Sequence, residues 1–331
     1  MIEHDYELAL SETEAARHDL QSRALQQALT RLGRAHSIIR NNLGLAEWDK
    51  LLLETAFDLL SLRMHLLTDI DTMPVLLQEA GAAAVRMGDE RSTARCDLFT
   101  GIFQIAQGDF ANGLHALSKG LSRVDALGDE DIREQTSEFR AVYYFLQGMY
   151  KDALDYFDTV LHMGTPSLEA GNVSFLPEHL SSSLMMGYSA ALLGQFPRAI
   201  GVLDSHWRRA RMAGERSRAS FYQSLLGIVL LIMGRRREAY EHFQTARDEA
   251  TDLNNIPALH VCQKGLSYYY YFEGQLDKSY AVASAIIHAE AIGFQYYWPI
   301  NLEILHAFAD KGFAPIPDME FEQEMEKMLG G

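Results

Sequence analysis

The sequence has only two cysteines, Cys96 and Cys262, in 331 residues. They stand far apart and belong to no CxxC or Cys/His spacing, which argues against a disulfide framework or a structural zinc site. A reducing cytoplasm is therefore the expected compartment. Basic residues are also scarce: 29 Lys and Arg face 45 Asp and Glu, a formal charge of −16. Such a chain repels polyanions except at a local basic patch, so neither a membrane nor direct nucleic-acid contact is expected of it. Long apolar runs are absent too. The longest, GIVLLIMG at 227–234, is far short of a bilayer span, and no charged-then-apolar leader opens the chain. Phosphate-loop, GxGxxG, GxSxG and HExxH motifs are missing. The twelve histidines are scattered singly, and His260, His288 and His306 fall on separate expected helices as packing or surface residues. No catalytic, cofactor-binding or metal-ligating residue is assigned, and the chain reads as a non-enzyme.

What the chain does have is a period. A glycine followed two residues later by a bulky residue and five later by a small one recurs at Gly108, Gly148, Gly194, Gly234 and Gly274, with spacings of 40, 46, 40 and 40. One further step back reaches Thr68, where a degenerate first repeat is expected. A small residue precedes each anchor by seven positions, at Ser61, Gly101, Ala141, Gly187, Gly227 and Ser267, so two helices can approach closely there. About twenty residues after the anchors come Gly88, Gly128, Gly214, Asn254 and Gly293, residues that tolerate the left-handed conformation ending a helix. The third repeat lacks this stop and carries the loop GTPSLEAGNVSFLPE instead.

The prolines fit the same frame. Pro74, Pro177, Pro197, Pro257 and Pro299 suit the first turn of a helix, Pro166 lies in the long loop, and Pro315 and Pro317 follow the last repeat-like helix. Each unit is then helix, tight turn, helix, stop, giving an all-α solenoid in which neighbours bury one another's apolar faces.

A helical hairpin with a small residue, an often aromatic position three later (Tyr144, Tyr270), a turn glycine, an aromatic two beyond and alanine five beyond resembles the tetratricopeptide repeat (TPR) family. The resemblance covers roughly residues 47–311. It departs from the family in lacking the early tryptophan and in its 40-residue period, against the usual ~34. The longer period is similar to the TPR-like arrays of bacterial regulators, including MalT-type activators and the peptide-binding Rap group. The resemblance implies a right-handed superhelical solenoid of about six hairpins, with concave positions six and three residues before each turn glycine. Those positions are Ile102 and Ile105, Val142 and Phe145, Tyr188 and Ala191, Ile228 and Leu231, and Tyr268 and Tyr271, with Lys264 a turn earlier. The run SYYYYFEG (267–274) is thereby divided: Tyr268 and Tyr271 face the groove, Tyr270 packs between helices, and Tyr269 and Phe272 flank the stripe. Either the superhelix buries this apolar surface against itself, or it holds a channel for a peptide, a partner helix or a small amphipathic molecule.

One basic patch interrupts the acidic chain. Arg208, Arg209, Arg211, Arg216, Arg218, Arg235, Arg236 and Arg237 face only Glu215 and Glu238 within their stretch, a local surplus of +6. It reads either as a solvated face with helix C-terminal charges or as a contact for an acidic partner. The ends suggest caps. Ser11–Glu14 forms a capping-box pattern opening one helix to about Arg40, with Leu20, Ala24, Ala28, Leu32, Ala35 and Ile39 on one face. That helix caps the array, mediates a homodimer, or links to another domain. Residues 1–46 are thus the N-terminal helix, 47–297 six repeats, and 298–331 capping helices that end in the acidic stretch DMEFEQEMEKML. Two functions remain open at this level. One is a non-catalytic protein- or peptide-recognition domain, the sensing or partner-binding part of a bacterial signalling or transcription-regulatory protein. The other is a structural scaffold acting through its convex face or N-terminal helix.

Overall fold

The computed structural model describes residues 2–22, 24–66, 68–107, 109–162 and 182–290. Within them the chain is all-α, with fifteen α-helices, one 3-10 turn and no strand. They fall into two compact units, the first up to residue 103 and again from 113 to 182, the second over 104–112 and from 183 on, each taken over its described residues.

The first unit opens on a hairpin of α1 (Ile2–Gln21) and α2 (Leu25–Arg40), followed by the pairs α3 (Ala46–Leu66) with α4 (Met73–Met87) and α5 (Glu90–Ala106) with α6 (Phe110–Leu127). Its last pair sets a broken first helix, α7 (Glu130–Gln135) and α8 (Ser137–Leu146), against α9 (Tyr150–His162). The second unit pairs α10 (Ser182–Leu192) with α11 (Phe196–Met212), α12 (Arg216–Ile232) with α13 (Arg236–Asp252), and α14 (Ile256–Phe272) with α15 (Leu276–Glu290).

The turns follow from local chemistry. Gly148, Gly194, Gly234 and Gly274 all have φ between +72° and +77°, and Gly88, Gly128 and Gly214 end second helices in the same region. Asn254 takes that conformation with φ +50° in place of glycine. At Gly234 the helix end closes with Gly234 N–H donating to Leu231 O at 2.9 Å and Arg235 N–H to Leu230 O at 2.9 Å, the paired bonds of a Schellman turn. No atom would lie within 4 Å of a Cβ at Gly234, so a side chain there meets only the backbone penalty. Gly234→Ala is expected to lower the unfolding free energy by about 1–2 kcal/mol, with Gly234→Asn costing less, as read by urea denaturation.

The hairpin interiors rest on the small positions. A Cβ at Gly101 would come within 2.7 Å of Leu117 Cγ, and one at Gly187 within 2.7 Å of Leu203 Cγ. At Ser267 the close approach is polar: its Oγ donates to Ser279 O at 3.1 Å while Ser279 Oγ donates to Ser267 O at 2.6 Å. Pro74, Pro197 and Pro257 occupy first-turn positions of α4, α11 and α14 as expected. Gly108, Gly293, Pro166, Pro177, Pro299, Pro315, Pro317, the loop at 164–178 and the expected C-terminal caps lie outside the described residues.

Three expectations are corrected. The first repeat turns at Asp69, whose φ is +51°, and not at Thr68; a 3-10 turn over Ile70–Thr72 then leads into α4. The expected single helix from Ser11 to Arg40 is two helices, with Ser11 inside α1. The break falls where Ser22 turns its hydroxyl onto Asp19 O at 3.0 Å, a local bond that competes with helix continuation. Two stripes, Ala9/Thr13/Ala16/Leu20 and Ala28/Leu32/Ala35/Ile39, stand close enough in register to read as one. Folding the chain back buries both completely. The apolar face of α2 is therefore used inside the chain and is not free for a dimer. Finally, the first helix of the third pair is interrupted at Thr136, whose hydroxyl returns to Ile132 O at 2.7 Å.

Candidate recognition surface

In the second unit the first helices α10, α12 and α14 lie side by side. Ser183 Oγ meets Tyr222 Oη at 2.9 Å, and Ser224 Oγ meets Cys262 Sγ at 2.9 Å. Asn255 extends the second seam by donating to Ser217 O at 3.0 Å. Small hydroxyl residues at these seams let neighbouring first helices approach with their polar atoms satisfied. This packing surrounds α12, in which every residue from Ala219 to Leu231 is buried.

The positions assigned to the concave stripe divide by burial. Ile102, Ile105, Val142, Ala191, Ile228, Leu231 and Lys264 are buried, Lys264 to 5% exposure. Phe145, Tyr188, Tyr268 and Tyr271 are half-buried and keep part of their rings at the surface. Aromatic side chains in this state offer an apolar face and, for tyrosine, a polar tip, the combination favoured where a partner's side chains are read.

The tyrosine run resolves along its length. Tyr270 packs between helices, 6.5 Å from Tyr240 on α13 and under the Lys278 ammonium of α15 at 5.6 Å. Tyr269 lies 4.8 Å from Tyr240, so it also belongs to packing. Burial raises the pKa of both phenols. Phe272 is 52% exposed, with the Arg236 guanidinium 5.7 Å from its ring.

The arginine patch is largely paired within the chain. Arg211 and Arg216 both reach Glu249 Oε1 at 3.1 Å, and Arg236 reaches Glu273 at 3.1 Å. Arg208 pairs with Asp204, Arg218 with Glu215, Arg235 with Glu238 and Arg237 with Glu241. Arg209 donates to His206 Nε2 at 2.7 Å. The apparent surplus arose because several compensating carboxylates stand outside the basic stretch, Glu249 and Glu273 among them. Such exposed pairs contribute little and exchange readily.

Neither cysteine is poised to react. Burial pushes both thiols up to about 12, so at neutral pH neither forms the thiolate that nucleophilic chemistry needs. Each stands twelve residues before an anchor glycine, Gly108 and Gly274, and each is buried.

Sequence reasoning missed a third feature. Leu192, Ile232 and Phe272, forty residues apart, are exposed at 39%, 44% and 52%, each at the last turn of a first helix. They continue the face of Tyr188, Ile228 and Tyr268, four residues on in each case. The signal was present as a 40-residue recurrence of bulky apolar residues two before the turn glycine.

No protein-family model matches the chain, and no curated protein does. Among solved structures it is similar to a Rap protein whose crystal structure is of the complex with competence and sporulation factor. The TM-score is 0.67 at 14% identity, over 98% of this chain and 87% of that one. At this identity the likeness concerns the fold, an all-α array of TPR-like helical repeats.

Proposed function

We propose, proceeding from the fold shared with a Rap protein that binds competence and sporulation factor, that this chain is a non-catalytic recognition domain for a protein or peptide segment. It is the sensing or partner-binding part of a regulatory protein. The observation that carries the reading is the likeness in fold over nearly the whole chain. The half-buried Tyr188, Tyr268 and Tyr271 support it by supplying aromatic anchors on α10 and α14, the two first helices that flank α12 in the second unit. Affinity would come from the apolar area of these rings and specificity from their hydroxyls. Each repeat contacts its neighbours, so a ligand touching several first helices alters their spacing together, which is a route for a signal.

The test is a comparative capture from bacterial lysate with wild-type protein and Tyr268→Ala/Tyr271→Ala, both checked for helicity and melting. The expected result is a retained species that falls at least about tenfold with the double variant, the loss of one to two aromatic anchors. Equal recovery by two equally folded proteins would sink the aromatic-anchor reading.

A further inference from the structure

The ends of the three first helices in the second unit carry a surface unlike the rest of the stripe. Leu192, Ile232 and Phe272 recur with the repeat and stay exposed, so they form an apolar ridge along the turn edge. Adjacent packed helices stand roughly 10 Å apart, which gives the ridge a length of about 20 Å. Between Ile232 and Phe272 in sequence order, at the α12–α13 turn, is an open basin of about 560 Å³ lined by Gly234, Arg235, Arg236, Arg237 and Glu238. Its three arginines are held by Glu238, Glu273 and Glu241 in exposed pairs, and the Arg237 side chain is 93% exposed. An apolar ridge beside three solvent-exposed arginines in exchangeable pairs suits a segment with one apolar face and carboxylates that can take over those pairs.

The chain contains such a segment in residues 318–329, which lie outside the described residues. Its sequence, DMEFEQEMEKML, carries five carboxylates and one lysine. Phe321, Met325, Met328 and Leu329 recur at helical spacing, so a helix over these residues has one apolar face. Twelve helical residues extend about 18 Å, close to the ridge's length. From Glu290, where α15 ends, 27 residues lead to the segment, and at about 3.3 Å each they exceed the reach required. We infer that residues 318–329 dock on their own chain along Leu192, Ile232 and Phe272, with their carboxylates exchanging into the Arg235–Arg237 basin. The exposed ion pairs now held by those arginines are weak enough to re-pair. The surface adjoins Tyr268 on α14 but does not depend on the groove reading, because it uses the turn edge and an intramolecular occupant.

The experiment is disulfide trapping in the full chain. Ile232→Cys is combined in turn with Phe321→Cys, Met325→Cys and Leu329→Cys, with glutathione disulfide as oxidant. The native thiols are buried and raised to about 12, so they stay out of the exchange. Met212→Cys with Met325→Cys serves as control, since Met212 is 88% exposed and apolar but ends the second helix α11, off the ridge. The expected result is an intramolecular bond in at least one ridge pair, forming about tenfold faster than in the control through its higher effective concentration. Adding Arg235→Glu/Arg237→Glu should slow it about fivefold, and Glu322→Lys/Glu324→Lys in that background should restore it. Rates equal to the control, insensitivity to the charge changes, or cross-linked dimers in place of monomers would each overturn the assignment. The groove reading is tested separately, by the tyrosine pair.

Discussion

Replacing Phe243 with alanine is expected to cost about 3–5 kcal/mol of stability, among the largest effects of any single change in the second unit. The ring is fully buried on α13, lodged against two glycines from two different first helices. A Cβ at Gly227 on α12 would stand 2.6 Å from Phe243 Cε1, and one at Gly265 on α14 would come closer still to the same ring edge. One aromatic side chain thus holds its own hairpin and the next repeat together, and the two glycines make room for it. Gly265→Ala should itself cost about 1–3 kcal/mol, because the added methyl has no space and the ring no free direction. The two changes share one cause and should not add. In Phe243→Ala/Gly265→Ala the methyl enters the vacated volume, and the double variant should be at least about 1 kcal/mol more stable than the sum of the single losses predicts. Urea denaturation of the four proteins measures this. Additivity would show that the glycine is required for some reason other than the ring.

This contact also marks how far the sequence could be read. Gly227 was legible because it recurs at a fixed distance before the turn glycine. Its counterpart Gly265 was not, since it stands at no repeated position; its need arises from a ring on a different helix, brought there only by stacking. The same division runs through the candidate surface. The turn at Gly234 follows from local spacing and the packing role of Tyr270 from the resemblance to the repeat, whereas the compensation of Arg211 by Glu249 depends on a helix one repeat on, and that of Arg216 on the far end of its own hairpin. Burial was the hardest quantity to read. Ile228 and Tyr268 hold equivalent positions, yet one is 8% exposed and the other half-buried, because the repeat sets direction and the neighbouring side chains set cover. At the N-terminus periodicity itself misled, since two stripes in near register are indistinguishable from one helix until the chain folds back.

The second large effect concerns a charge in the first unit. Asp49 on α3 is 2% exposed and accepts a two-pronged pair of bonds from Arg86 on α4, Nε to Oδ2 and a terminal nitrogen to Oδ1, each 2.7 Å. Gly44 N–H adds a third at 3.1 Å, so the carboxylate is satisfied only as an anion. The Arg86 bonds chiefly, then that backbone bond, hold its pKa below the ordinary carboxylate value, against the opposing effect of burial. Arg86→Met keeps the aliphatic stem but leaves the anion buried without its counter-charge, and should cost about 3 kcal/mol at pH 7. The sign of the pH dependence follows from the direction of the shift. A carboxyl depressed in the folded state contributes stability that is present above its unfolded pKa of about 3.9 and is lost as pH falls through the folded value. In Arg86→Met that depression is gone and burial favours the neutral acid, so the variant is relieved by protonation while the wild type is not. The gap in unfolding free energy should therefore be widest near pH 7, narrow below about pH 4, and be nearly closed in strong acid. Asp49→Asn, neutral at every pH, should show a deficit at pH 7 that also shrinks on acidification. A gap for Arg86→Met that stayed constant from pH 7 to pH 3 would mean that Arg86 acts through its stem's packing and not through Asp49.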